Sequence, residues 1–186
     1  MSLDLVPIDR EPASAAVLLS GIPGSGKSTV AAALAARFGM SAHIEVDGLQ
    51  ELIVGGCRWP TMEHDPEADR QIFLRARNAC LLADSFTTAG FLPVIDDVVV
   101  RRTHLGFYRS QLESTPLYVV FLAPGPDKAW ERNNARDKRL TTNWAPLDEA
   151  MREELAGEDV WIDNVEMSVE ETVEAILTAT TLKPTA

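Results

Sequence analysis

The stretch Gly21-Ile22-Pro23-Gly24-Ser25-Gly26-Lys27-Ser28 constrains the fold of this chain more than any other feature. One glycine, four free positions and then Gly-Lys-Ser is the pattern of a P-loop, whose backbone N–H groups cradle a phosphate chain. Its setting matters as much as its letters. Residues 15–20 form an apolar run suited to a strand covered on both faces, and residues 28–38 are alanine-rich and predict a helix with Gly39 as a left-handed cap. Strand, glycine turn and helix in that order aim the loop amides and the positive helix end at an anion. Gly24 and Gly26 supply dihedrals that a side chain would forbid. The plain alternative is a glycine-rich turn with no ligand. A dinucleotide fingerprint does not fit, because Thr29 stands where a third small glycine is wanted.

The rest of the chain alternates in the same way. Short runs at 42–46, 92–100 (with Val94 and Ile95 as interior positions), 118–124 and 160–164 predict further strands, and helices are predicted over 49–54, from Pro66 to about Gly90, and after Ser168. Ser168 with Glu171 has the spacing of a capping box. Strands alternating with helices predict a parallel α/β sheet. In the long helix Ile72, Ala76, Ala79 and Ala83 share one face, with Phe73 and Cys80 beside them, which predicts core packing. Pro93 must stand near the start of its strand, where no ladder donor is needed.

A chain of 186 residues suits a single domain over 1–186. Seventeen basic and 28 acidic side chains give a net charge of -11, which repels a nucleic-acid backbone over most of the surface. Phosphate binding must therefore be local. Cys57 and Cys80, expected in different helices, lack the spacing of a zinc site and suit a reducing compartment. The first residues carry Asp4, Asp9 and Glu11 and no long apolar run, so neither a signal peptide nor a membrane anchor is expected and the cytoplasm is the expected location. The sequence sets no oligomeric state.

Residues 21–29 are the predicted nucleotide site: Gly21, Ile22, Pro23, Gly24, Ser25 and Gly26 as the cradle, with Lys27 reaching the β and γ phosphates of ATP. Ser28 would place its hydroxyl on Mg²⁺, with Thr29 in support. A second metal anion is expected at a neighbouring strand end, where Asp96 and Asp97 both stand; regular alternation lets only one face the metal, with Asp96 the better placed, unless the water shell of Mg²⁺ stands between the metal and both. Asp47 ends the IEV run and opens a short helix, which places it at the carboxyl edge of the sheet. It can act as the base for an acceptor hydroxyl or merely cap the helix, and Glu45 shares its face. Arg132 and Arg136 are four apart on one predicted helix face, with Lys128, Lys138 and Arg139 nearby. They suit the charge of a transferring phosphoryl group, or form a solvated basic face. Trp59, Glu63 and His64 lie in a loop that can cover an acceptor, and Arg101, Arg102 and Tyr108 follow the Asp-Asp strand closely enough to line the same pocket.

The ordered set LLSGIPGSGKST, IEVDGL, VIDDV and RNNARDKR resembles small AAA-type P-loop kinases related to chloramphenicol phosphotransferase and the zeta-toxin group. The resemblance spans nearly the whole chain. It implies a three-layer α/β P-loop NTPase fold of the nucleoside-monophosphate-kinase-like kind, with a five-stranded parallel sheet and a helical lid over 127–146. It also implies that Lys27 and Ser28 take the phosphate and Mg²⁺ roles, that Asp47 activates the acceptor hydroxyl, and that Arg132 or Arg136 is a lid arginine. The expected activity is transfer of the ATP γ-phosphoryl group to a small hydroxyl-bearing molecule, which the loop at 55–66 does not identify. A nucleotide-dependent regulatory module or stand-alone ATPase needs neither Asp47 nor a lid. A polynucleotide 5'-kinase would rely on the basic stripe at 132–139.

Overall fold

The computed structural model of the chain describes residues 11, 13–61, 63–112, 115–134 and 144–184. Its short aliphatic runs pair into one sheet of five strands: β1 (Ala16–Ser20), β2 (Ser41–Glu45), β3 (Leu92–Asp96), β4 (Leu117–Leu122) and β5 (Val160–Ile162). Their spatial order is β2-β3-β1-β4-β5. All four pairings are parallel. Between them run α1 (Lys27–Ala35), α2 (Val46–Glu51), α3 (Pro66–Thr88), α4 (Arg102–Gln111), α5 (Pro126–Asn134), α6 (Ala145–Glu154) and α7 (Val169–Thr180). This is the five-stranded, three-layer arrangement the sequence predicts.

Both faces of the sheet are covered, which is why β1 is apolar and buried throughout. On one face Val17, Leu19, Val94 and Leu122 pack with Val30 and Leu34 of α1 and Val173 and Ile176 of α7. On the other, Leu18, Ile44, Ile95 and Phe121 meet Ala76, Ala79 and Ala83 of α3, Leu105 and Tyr108 of α4, and Met151 of α6. Small alanines let α3 approach the sheet closely. Because β1 pairs with β3 on one side and β4 on the other, the chain order reverses beside it, and the carboxyl ends of these strands form the crevice where such sheets hold ligands.

Helix ends follow local chemistry. Pro66 opens α3, and Asp65 caps it by accepting from the Glu67 amide at 2.8 Å. Ser168 and Glu171 form the predicted capping box. Several expectations are corrected. Helix α1 stops at Ala35 with Ala36 in a right-handed conformation, so Gly39 is not a left-handed cap. Phe73 is on the exposed side of α3, and the buried stripe instead takes in Gln71 and Arg75. Cys57 lies in the loop after α2, because Gln50 bonds the loop there and the helix has already ended. No helix among the described residues is long and apolar enough to cross a membrane.

Candidate functional site

The P-loop links β1 to α1 at the carboxyl edge. Its glycines are required by space as well as by dihedral. Gly24 sits at φ +89°, and a Cβ there would lie 2.2 Å from the Ala129 carbonyl oxygen of α5. Gly26, at φ +96°, is the N-cap of α1 and leaves the first helical amides open. Lys27 is nearly buried, with Nζ 3.5 Å from the Ile22 carbonyl oxygen across the loop.

Helix α5 and the β5–α7 turn brace the loop from outside. Arg132 donates to the carbonyls of Ser25 at 3.3 Å and Asn164 at 2.8 Å, and Asn164 Nδ2 donates to the same Ser25 carbonyl at 3.1 Å. Arg132 and Asn164, with Gly26, Thr29, Met167 and Val169, line a cleft of about 310 Å³ beside the start of α1. Arg132 thus comes to the phosphate loop, though by holding its backbone. Arg136, Lys138 and Arg139 lie outside the described residues, as does the middle of the expected lid, residues 135–143. Lys128 forms a surface pair with Glu131 at 3.0 Å.

At the other side of the edge, the β3 register sets Asp96 level with Leu19 of β1 and Glu45 of β2. Asp96 is buried, and its nearest basic neighbour among the described residues is His43 Nε2 at 3.6 Å, beyond hydrogen-bond range. Asp97 faces the α3 and α4 side and is fully engaged. It accepts from its neighbour's amide, Val98 N, at 2.8 Å, from Tyr108 Oη at 2.8 Å and from Arg75 Nη2 at 3.2 Å, with His104 Nε2 at 3.3 Å. Full burial pushes the Asp97 carboxyl up, but His104, Arg75 and Tyr108 outweigh it and bring it down to about 2. The same burial, with the Asp97 charge beside it, raises the Tyr108 phenol well above its ordinary value.

Asp47 is the second residue of α2, and Glu45 occupies the N-cap position without a side-chain bond, so Asp47 is not the helix cap. Its Oδ1 accepts from Arg75 Nη1 at 3.3 Å. Partial burial raises the Asp47 carboxyl; Arg75 and Lys27 pull it down, while Asp97 and Asp96 add to the rise. Those neighbours place Asp47 within electrostatic reach of both the P-loop lysine and the end of β3. Glu45 is exposed.

The loop after α2 is pinned by two buried glutamines. Gln50 Nε2 donates to Gln71 Oε1 at 2.9 Å and to the Arg58 carbonyl at 3.0 Å, and Gln71 Nε2 donates to the Gly56 carbonyl at 2.8 Å. This sets the Trp59 ring 6.0 Å from the Arg75 guanidinium, which gives Trp59 a pinned position over a cation. Beyond it, Pro60, Thr61, Glu63, His64, Asp69 and Arg101 line a pocket of about 120 Å³. Two expected lining residues are elsewhere. Tyr108 is fully buried against Asp97, because its hydroxyl has a partner there. Arg102 turns outward to Glu158 at 2.6 Å.

Sequence reasoning missed Arg75, His104 and Asn164. Arg75 left a readable signal, since it stands four residues from Gln71 and four from Ala79 on the buried stripe of α3.

Solved structures share this fold. A sugar kinase from a Janibacter species superposes with a TM-score of 0.68 at 19% identity, over 92% of this chain and 96% of its own. The Mycobacterium tuberculosis APS kinase in complex with AMPPNP and APS gives 0.65 at 18% identity, over 92% and 99%. The Deinococcus radiodurans tunicamycin resistance protein gives 0.66 at 19% identity, over 91% and 97%. At such identities the likeness is one of fold. No curated protein matches the chain by sequence. A family model described as an AAA domain matches residues 17–156, most of the chain and all of the P-loop edge. The chain belongs to this AAA domain family.

Proposed function

We propose that the chain is an ATP-dependent phosphotransferase that moves the γ-phosphoryl group to a hydroxyl of a small molecule. The observation that carries this reading is the meeting, at one sheet edge, of a complete P-loop with Asp47, a carboxylate that is tethered to Arg75 and half open to solvent. A nucleotide switch needs the loop but has no use for such a base.

In this reading the loop amides and the start of α1 hold the phosphates, and Lys27 swings from the Ile22 carbonyl to the β and γ oxygens. The cleft by Thr29, Arg132 and Asn164 receives the nucleoside end. Ser28 and Asp96 fit a divalent cation: Asp96 is a buried carboxylate with no donor in hydrogen-bond range among the described residues, and magnesium is commonly held by one or two protein groups, phosphates and water. When bound, magnesium neutralises charge on the β and γ oxygens. Asp47 takes the acceptor proton as the hydroxyl oxygen bonds to the γ phosphorus and the bridging bond to ADP breaks. Arg132 and Arg136 are assigned to the charge that spreads in transfer. The sugar kinase and the APS kinase that share the fold lend support to a small-molecule acceptor.

The test is ADP release from Mg-ATP across a panel of hydroxylated metabolites, run beside titration calorimetry on the parent and Lys27→Ala. Acceptor-dependent ADP with a large loss of affinity in Lys27→Ala is the expected result. Tight binding without any acceptor-dependent release would favour a regulatory module or a slow ATPase, and equal affinities would end the nucleotide-site assignment.

A further inference from the structure

Arg75 is the least expected residue near the site. It projects from the middle of α3, its side chain is 5% exposed, and it divides its two Nη groups between two carboxylates, Asp47 at 3.3 Å and Asp97 at 3.2 Å. Its Nε has no hydrogen-bond partner. A buried ion pair is poor evidence of stabilisation, since apolar residues of similar volume often serve as well. Burying a guanidinium in a stripe whose other members are all uncharged therefore calls for another reason.

The two carboxylates differ in a way that supplies one. Asp97 is inaccessible, and its oxygens are held by Val98 N, Tyr108 Oη and Arg75, with His104 alongside. It cannot move without breaking several bonds. Asp47 has 57% of its side chain open to solvent, and Arg75 is its one hydrogen-bonded anchor among the described residues. The guanidinium is planar and rigid, so fixing one end fixes the other. Trp59 closes one side of it.

The geometry points to Arg75 as a positioning residue: anchored on the immobile Asp97, it holds the Asp47 carboxylate by Oδ1 in one orientation and leaves Oδ2 to meet the acceptor hydroxyl. This rests on the reading of Asp47 as the base. The charged groups facing Asp47 are Arg75 from α3, Lys27 from the P-loop, and Asp96 and Asp97 from the end of β3. The ionisable groups around Asp97 are Arg75 and Cys80 from α3, His104 and Tyr108 from α4, and Asp47 from α2. Of the groups around Asp47, Arg75 is the nearer and hydrogen-bonded cation, so its removal should leave the carboxyl easier to protonate.

The experiment uses the full chain with ¹³C-labelled aspartate, the Asp47 carboxyl signal being identified by its loss in Asp47→Asn. Arg75→Gln should raise the Asp47 titration midpoint by about one pH unit, the low end of what an adjacent opposite charge contributes. Arg75→Lys, whose single ammonium can serve one carboxylate at a time, should raise it by less. If Arg75→Gln does not fold by thermal melting, Arg75→Lys decides. An Asp47 midpoint unmoved in the folded variants overturns the proposal, whereas a purely structural arginine would lower the melting temperature and leave the midpoint alone. No acceptor is needed for this readout, so it stands apart from failure of the phosphotransferase reading. With an acceptor in hand, Arg75→Lys should cut kcat by about tenfold or more with Mg-ATP affinity kept within twofold; lost ATP affinity with normal kcat would also overturn it.

Discussion

Asp96 and Asp97 are neighbours in the chain whose carboxylates serve opposite sides of the sheet. Asp96 lies level with Leu19 and, among the described residues, has His43 as its one basic neighbour, at 3.6 Å, while Asp97 is held by Arg75 and Tyr108 on the α3 and α4 side. Strand alternation produces the split. It divides one acidic pair into a carboxylate without a donor in hydrogen-bond range among the described residues and one committed to the framework.

Asp97→Asn is therefore expected to be costly for stability. It leaves the Arg75 charge in a buried site with one partner fewer, and removing one member of a buried pair typically costs about 3 kcal/mol or more. The pH dependence has a definite direction. The Asp97 carboxyl falls from 3.8 to about 2 on folding, so its contribution is complete above about pH 4 and is lost as pH falls from there through about 2. Melting temperatures between pH 7 and pH 2 should show parent and variant well apart at neutral pH and converging toward the acid end. A constant gap would mean that Asp97 does not act through its charge.

For Asp96→Asn the expectation is reversed. No strong bond is lost in the folded protein, so the melting temperature should change little or rise. Mg-ATP affinity should fall at least tenfold, with a smaller change for ATP in the presence of a chelator. Calorimetry with and without magnesium distinguishes this from a general loss of nucleotide binding, which would remove Asp96 from the metal assignment.

Gly24→Ala tests how tightly α5 packs on the P-loop. The new methyl would fall 2.2 Å from a backbone oxygen, and φ +89° adds strain of about 1 to 2 kcal/mol for a residue with a side chain. Neither can be relieved by turning a flexible side chain. The variant should lose stability and lose Mg-ATP affinity by more than tenfold, both measurable on one sample by melting with and without nucleotide. A ligand-induced rise in melting temperature equal to the parent's would show that the loop and α5 can separate freely.

The parts of this molecule legible in the sequence are those fixed by local chemistry. The P-loop glycines, the apolar strands, Pro66 at the start of α3 and the Ser168–Glu171 box each follow from a few adjacent residues, and the structure has them where they were read. The Arg75 bridge was not legible because its partners lie 28 and 22 residues away and only the packing of α3 brings them together. Tyr108 is buried for a related reason: its closeness in the chain to the Asp-Asp strand is readable, but α4 and the face it turns inward depend on packing against the buried Asp97. Asp47 was read as a helix opener with a capping alternative, and a shift of the helix start to Val46 removes that alternative.

That shift makes Asp47→Asn the most informative substitution for the reaction itself. Asparagine caps a helix about as well as aspartate, so while a cap role stood, an inactive variant and a destabilised one could be confused. With Glu45 at the N-cap, the substitution touches the contact to Arg75 at 3.3 Å, and the amide oxygen of asparagine can still accept from that guanidinium. Stability should therefore change little, and Mg-ATP affinity should hold because Lys27, Ser28 and the loop amides are untouched. Turnover with a working acceptor should fall by about 10² to 10⁴, the range for a positioned acid or base. The parent's rate should also lose activity on the acid side at a pH above the ordinary 3.8 of an aspartate, since burial raises the Asp47 carboxyl, and that limb should vanish in the variant. Normal turnover in Asp47→Asn would retire the base assignment, and a fall that tracks lost ATP affinity would move Asp47 into the nucleotide site.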